Sequence, residues 1–534
     1  MPNRSFETRG PVNPSRHYVV PRTQEIADLG KRIKDGRYIV IFAPRQTGKT
    51  TFFRWALNSL DETYLPIQLN FEEYQDISPD EFYRYLKKDI QNAIENVAPH
   101  HQQQQAVLHH FLDNASITSH ISMREFFEQL ANYLKTRRLA IIIDEFDGIP
   151  TPIVGQFLHA LRRIYLSEGA NRCPYSVGIV GVKSITQLNY DRSISPFNIQ
   201  SEFALPNFTL SQVQALLAQY TEEVGQAFAP EVIEKLHKQT AGQPFLVNRM
   251  AQILTTEMGI ARDETISARH FEIAHQRISN EQNVHLSHLT TNIRREPRFK
   301  TILLKICSYE AGIHFNLHNE YISELVTYGI LKAGEEGFCE LANPIYQYCI
   351  VQTFRPLING LERQYLPEDT DAGFLDYLTS EGKIDMRSLL ANFRDFIARA
   401  GFRVLQVPDT PQEFVGQYLL FAYLDQFVRQ MRGFMYPEVR TGRGRMDLIL
   451  LHQGNKYIVE TKIWEGPKSY QAGKRQLAKY LKLEGVAEGY YIVFDHRIKP
   501  KARFDTDTIE EKSIVSYCIP VIQEQPSTVA KVLA

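Results

Sequence analysis

Lys49 and Thr50, set directly behind Gly48, are the residue types that handle a polyphosphate. A lysine in that position reaches β- and γ-phosphates, and the threonine hydroxyl holds Mg2+. The residues around them, Pro44, Arg45, Gln46, Thr47 and Thr51, turn backbone amides toward an anion. Ala43 stands where the phosphate-loop pattern carries its first glycine, a departure that removes neither the lysine nor the hydroxyl. A second pair, Asp144-Glu145, ends the apolar run LAIII. Asp144 can hold the water shell of the same Mg2+, and Glu145 can polarise the attacking water. A third set, Asp447, Glu460 and Lys462, lies far downstream. Two carboxylates suit Mg2+ or Mn2+, and such an ion polarises a phosphodiester and acidifies its water. Lys462 would orient that water or neutralise developing charge.

These residues need elements to hold them. Tyr38 to Phe42 is a short β-branched and aromatic run, a buried strand of a parallel sheet, and an amphipathic helix follows the loop. Strand, loop, Gly-Lys-Thr, helix is the order a phosphate loop demands. Ahead of it, Tyr18 to Arg22 is extended and Ile26, Leu29 and Ile33 recur at helical spacing. That extended piece reads either as an adenine contact or as a plain docking arm. Tyr64 to Leu69 is a second strand, with helices expected over Pro79 to Val97 and Met123 to Thr136. Tyr175 to Val182 is the next core strand, and Lys183 or Ser184 at its end could sense a γ-phosphate or simply cap and pair. Arg192, in a loop, could act as a finger on a neighbouring subunit's ATP. After Pro206 the pattern turns helical, with a stop and restart at Gly242-Gln243-Pro244 and Arg249 facing the nucleotide from that lid.

Further on, Phe299 to Tyr348 has a helix-helix-strand-strand rhythm with a hairpin around Glu335 to Gly337. Its second helix carries Glu320 and Glu324 and no basic residue before Lys332, which favours protein contact over DNA reading. Gln364 to Ala372 is polar and acidic and marks a linker. Helices then cover Ser388 to Ala400 and Pro411 to Gln430. Met446 to Leu451 and Tyr457 to Thr461 pair about a turn at Gln453 to Asn455. Glu460 and Lys462, two apart on one strand, share a face with Asp447 opposite. Gln476 and Tyr480, four apart, share a face of the next helix.

At 534 residues the chain is too long for one core, and roughly two to four domains are expected. Net charge is −1, which excludes a global pull toward nucleic acid or membrane. Basic surface is local: residues 432–503 hold 15 Lys and Arg against 7 Asp and Glu, with Lys474, Arg475, Lys479 and Lys482 expected on a solvated helix. No apolar run is long enough for a membrane span and no signal core opens the chain. Five scattered cysteines without a CxxC pair read as buried thiols of a cytoplasmic protein.

The array APRQTGKTT, IIIDEFD, SPFNI and TAGQPFLVNRM resembles the AAA-like ATPases related to the origin-recognition and STAND groups, over about Tyr18 to Met258. That resemblance implies ATP-driven switching and assembly into a homo-oligomer. From about Leu389 to Val521 the chain resembles the PD-(D/E)XK nuclease superfamily. The family's aspartate falls on Asp447 and its E-x-K on Glu460, Thr461 and Lys462. Its preceding acidic positions fall on Glu413 and Glu438, and the Q-x-x-x-Y feature of some branches on Gln476 and Tyr480. Arg445-Met446-Asp447 replaces the literal Pro-Asp. The resemblances imply an α/β multidomain chain. A P-loop ASCE ATPase sheet (1–205) is followed by a helical lid (206–290), a winged-helix-like middle (291–365) and a nuclease-like α/β domain (366–534). The expected function is ATP binding and hydrolysis coupled to metal-dependent cleavage of nucleic acid, DNA rather than RNA. The alternative is a nucleic-acid-binding or signalling switch whose nuclease fold does not cut.

Overall fold

The computed structural model describes residues 3–42, 47–97, 102–135, 137–167, 172–181, 201–281, 291, 293, 296–308, 313–334, 337–353, 376–405, 412–431, 433–438, 446–497 and 499–521. In chain order the first half runs α1 (Thr23–Lys34), β1 (Tyr38–Phe42), α2 (Lys49–Asn58), β2 (Tyr64–Asn70), α3 (Pro79–Val97), α4 (Gln102–Asn114), α5 (His120–Leu134), β3 (Arg138–Asp144), α6 (Thr151–Leu166), β4 (Ser176–Gly181), β5 (Ser201–Ala204), α7 (Leu210–Val224), α8 (Pro230–Thr240), α9 (Pro244–Gln252) and α10 (Ala268–Asn280). The second half runs α11 (Pro297–Ser308), α12 (Glu320–Thr327), β6 (Leu331–Ala333), β7 (Cys339–Leu341), α13 (Pro344–Thr353), α14 (Met386–Leu405), α15 (Gln412–Gln430), β8 (Phe434–Glu438), β9 (Met446–His452), β10 (Asn455–Ile463), α16 (Pro467–Leu483), β11 (Glu488–Asp495), β12 (Arg503–Ile509) and β13 (Lys512–Pro520). The chain divides into two compact units. The first is Met1–Gly225 with Gly242–Gln252 and Thr327–Gly329, and the second is Gln226–Ala241, Ile253–Val326 and Ile330–Ala534.

The first unit is built on a five-stranded sheet in the order β2-β3-β4-β1-β5, every neighbouring pair parallel. Parallel strands need crossovers and are covered on both faces, which is why β1 and β3 read as continuous apolar runs. Alternate residues divide between two cores. Val40, Ile67, Ile141 and Val177 pack with α3, α5 and α6, whereas Ile39, Ile41, Ile142 and Val180 pack with α1 and α2. The strand ends after β1 and β3 therefore lie at one edge of the sheet, where open α/β sheets bind ligands.

The second unit carries a six-stranded sheet, β12-β13-β11-β10-β9-β8. β8, β9 and β10 form an antiparallel run, β10 and β11 are parallel across α16, and β12 returns antiparallel to β13. The β9–β10 turn is two residues, Gln453 and Gly454, both at positive φ (48° and 80°), the geometry that matches strand twist. Ile449, Ile458, Tyr491 and Val493 meet Tyr470, Leu477 and Leu481 of α16 in one apolar core. Ahead of this sheet, α11 and α12 precede the β6–β7 hairpin, which pairs Leu331 with Leu341, and α13 packs on α11. Glu335, Glu336 and the expected linker lie outside the described residues. All five cysteines are buried free thiols. Among the described residues no helix is long and apolar enough to cross a membrane.

Candidate functional site

Gly48 takes φ 83°, which lets the chain turn into α2, and Lys49 opens that helix with its side chain buried. Its Nζ stands 3.5 Å from Glu145 Oε1. Asp144, at the end of β3, is 3% exposed. Its Oδ2 lies 3.5 Å from Thr50 Oγ1 and 3.5 Å from Gln68 Nε2, and its Oδ1 accepts the Glu145 N–H at 3.0 Å. Burial raises the Asp144 pKa against the pull of Lys49. Glu145 sits at φ 50° and begins a tight turn through Gly148, where a Cβ would come within 1.9 Å of the Phe71 carbonyl oxygen. Four of the expected side chains, Lys49, Thr50, Asp144 and Glu145, thus meet at one sheet edge. The Thr50 hydroxyl and Asp144 carboxylate form a hard-oxygen pair that fits Mg2+.

Lys49, Thr50 and Glu145 open into a cleft of about 520 Å³, the scale of a small-molecule site. Tyr18, Val19, Val20 and Phe208 line it, so the extended arm does reach the cleft. Arg22 is buried and donates to the Pro206 carbonyl at 2.7 Å and the Thr47 carbonyl at 3.3 Å, with its guanidinium 4.8 Å from the Phe208 ring centre. Burial lowers its pKa to about 10 against the opposing pull of Glu25. Gln243 caps the restart of α9 by accepting the Leu246 N–H at 2.6 Å. From α9 it is Phe245 and Asn248 that line the cleft, while Arg249 donates to Gln252 at 2.7 Å, so the lid contributes an aromatic and an amide where an arginine was expected. Thr51 is also redirected: its Oγ1 accepts the Val12 N–H at 2.9 Å. Pro44, Arg45, Gln46, Lys183, Ser184 and Arg192 lie outside the described residues.

In the second unit the register pairs Glu438 with Asp447 and Asp447 with Glu460, so three acidic positions stand in a row across β8, β9 and β10. Glu460 is 2% exposed and Lys462 is half-buried. The side chains of Glu413, Glu438 and Asp447 lie outside the described ones, and among the described residues no group of three or more metal-ligating side chains assembles. On α16, Tyr480 is buried in the core while Gln476 is exposed at the helix edge.

Lys474 corrects the solvated-helix expectation. It is 1% exposed, with Nζ 2.6 Å from Asp507 and 3.2 Å from Asp505, and Asp505 also accepts the Tyr470 hydroxyl at 2.9 Å. Arg475, Lys479 and Lys482 are exposed as expected. Sequence reading missed a second basic arrangement. Arg497 and Arg503 both stack on Trp464, 4.9 Å and 4.7 Å from its ring centre. Fully buried Asp495 aligns Arg497 through 2.8 Å and 2.7 Å contacts and also accepts the Lys501 N–H at 3.0 Å. These charge-assisted bonds hold the Asp495 pKa below the usual carboxylate range in spite of burial.

A family model described as an AAA-like domain matches residues 8–348. The chain belongs to the AAA-like domain family. A second match, to a domain of unknown function, spans residues 385–497 of this AAA-like protein. Among solved structures, the Walker-type ATPase of Pyrococcus abyssi is similar at 14% identity, covering 65% of this chain and 99% of that one, with a TM-score of 0.45. The Aeropyrum pernix Orc1 protein in complex with DNA is similar at 15% identity, covering 63% and 93%, with a TM-score of 0.29. The Thermotoga maritima RuvB Holliday junction branch migration motor is similar at 11% identity, covering 60% and 90%, with a TM-score of 0.31. An uncharacterized WD repeat-containing protein of Synechocystis is 26% identical over 178 residues, 30% of this chain, and the match spans 15% of that relative's length.

Proposed function

We propose that this AAA-like protein binds and hydrolyses ATP in the first unit and cleaves DNA with its second, ATP-driven self-assembly controlling the cut. The observation that carries the nucleotide half is the convergence of Lys49, Thr50, Asp144 and Glu145, with Thr50 Oγ1 and Asp144 Oδ2 3.5 Å apart. Thr50 and Asp144 would hold Mg2+, which neutralises charge on the phosphates. Lys49 binds the β- and γ-phosphates, and Glu145 polarises a water for attack on the γ-phosphorus. The bond from that phosphorus to the bridging oxygen breaks, leaving ADP and phosphate.

For the second unit, support comes from the acidic row Glu438, Asp447 and Glu460, with Lys462 beside it. Asp447 and Glu460 would hold Mg2+ or Mn2+, with Glu413 and Glu438 as further ligands and Gln476 at the edge. Arg497 and Arg503 on Trp464 are suited to a sugar-phosphate backbone. Those two arginines need no metal, and they favour the second reading, a nucleic-acid-gripping switch that does not cut. Supercoiled plasmid incubated with purified protein and Mg2+ or Mn2+, with and without ATP, separates the two. Nicking that Lys462→Ala abolishes supports the nuclease; retention of DNA without nicking supports the switch.

A further inference from the structure

Residues 5–18 form a loop closed at its neck, where Ser5 N–H donates to the Arg16 carbonyl and Tyr18 N–H to the Ser5 carbonyl, both at 3.0 Å. The neck is fixed to α7. Arg4 Nε lies 2.9 Å from Glu223, and the Phe6, Tyr18 and Tyr220 rings pack with centres 4.7 to 6.0 Å apart. The tip is fixed to α2 by the bond from Val12 to Thr51, two residues beyond Lys49. Thr8 Oγ1 adds a 3.4 Å contact to Gln252 of α9. The loop therefore spans the nucleotide cleft, with attachments on three helices that surround it.

Arg9 sits between those attachments and lines the same cleft as Lys49 and Thr51. The acid nearest to it in sequence is already engaged. Glu7 Oε1 accepts the Arg9 and Gly10 backbone N–H groups at 2.6 and 3.0 Å, and its Oε2 lies 3.1 Å from His17 Nε2. The other cleft cations are engaged too, Arg22 by carbonyls and Lys49 beside Glu145. Arg9 is exposed and has no ion pair or side-chain hydrogen bond among the described residues. A guanidinium held at the rim of such a cleft, with its own acid turned to the backbone, is matched to an oxyanion that can take both of its N–H arms.

We infer that the amino-terminal loop completes the nucleotide site, with Arg9 a phosphate-binding side chain supplied by the same chain. This rests on the nucleotide reading above. The attachment at Thr51 places the loop past the lysine, so Arg9 serves the inner phosphates that ATP and ADP share.

Calorimetric titration of the full chain with MgATP, MgADP and adenosine tests it, in wild type, Arg9→Ala and Arg9→Lys. Arg9→Ala is expected to weaken ATP and ADP about tenfold, Arg9→Lys about threefold, and neither to change adenosine. Because Arg9 is exposed, circular dichroism is expected to be identical for all three. ATP and ADP affinities within about twofold of wild type in Arg9→Ala would overturn the inference, as would an equal loss for adenosine. A wild-type chain that binds no ATP removes the nucleotide reading itself.

Discussion

Lys49 and Thr50 open the helix that follows β1, and Asp144 and Glu145 lie where β3 stops, whereas Glu438, Asp447 and Glu460 stand side by side on three antiparallel strands. The first site is an edge. Its side chains come from the end of β3 and the first turn of α2, and the helix dipole of α2 points into it. The second is a row on adjacent strands, held together by register alone. An edge site tolerates change in the strands so long as their ends stay aligned. A row does not, because a slip of one residue sends every side chain to the opposite face. The two regions should therefore fail in different ways.

The largest effects separate the chemistries. Lys49→Ala is expected to lower ATP turnover about 100-fold or more, measured as phosphate release, since it removes a charge that acts on the transferring group. Turnover at the wild-type rate would take the edge site out of the comparison. On the proposed nuclease reading, Lys462→Ala should reduce metal-dependent plasmid nicking about 100-fold while leaving phosphate release without DNA intact. Loss of both activities together would mean that the two regions are not separable in this way.

Stability sharpens the contrast. Lys474→Met strands Asp505 and Asp507 beside an apolar helix face. The variant should lose roughly 2–3 kcal/mol in denaturant unfolding, less than for a dry pair because water reaches both carboxylates. Adding Asp505→Asn and Asp507→Asn should restore part of that loss. His275 is buried in the second unit against Gln239, and burial lowers its pKa to about 3. The unfolded chain takes up that proton near pH 6.5, so this contribution is complete above pH 6.5 and fades as pH falls toward 3. Between pH 6.5 and 5 the second unit should lose about 2 kcal/mol, and His275→Gln should flatten the profile. Asp144 runs the other way. Its pKa is raised by burial, so the folded state is penalised at neutral pH and the penalty fades as pH falls through the raised value. The smallest expected effect is at the β9–β10 turn. Gly454→Ala should cost about 1 kcal/mol at φ 80° and lower nicking without touching ATP turnover. Unchanged unfolding would show that the strands, not the turn, set the register.

Much of this was readable in the chain because the signals are local. The run Tyr38–Phe42, the helix Pro79–Val97 and the strand ending at Asp144 match the structure, since apolar period and length decide such elements. What escaped is non-local. Lys474 reads as a solvated lysine because its acids lie 31 and 33 residues away, on β12. Arg249 and Phe245 share a helix, and only tertiary packing decides which one meets the cleft. The loop carrying Arg9 has no period at all; its order comes from Glu223, Thr51 and Gln252, each distant in sequence. The pairing of Arg497 and Arg503 with Trp464 was hidden for the same reason.

The six-stranded sheet has two rims among the described residues, and each carries a defence against unwanted strand addition. Along β12, Arg503, Asp505 and Asp507 place three charges on one face, so a newcomer would have to dehydrate charge to dock. Along β8, Pro437 withholds a backbone N–H from the ladder. Neither rim offers a clean template. Contacts between copies of this sheet are thereby steered to side chains on its faces, and the carboxy-terminal sheet is kept from growing into a fibre.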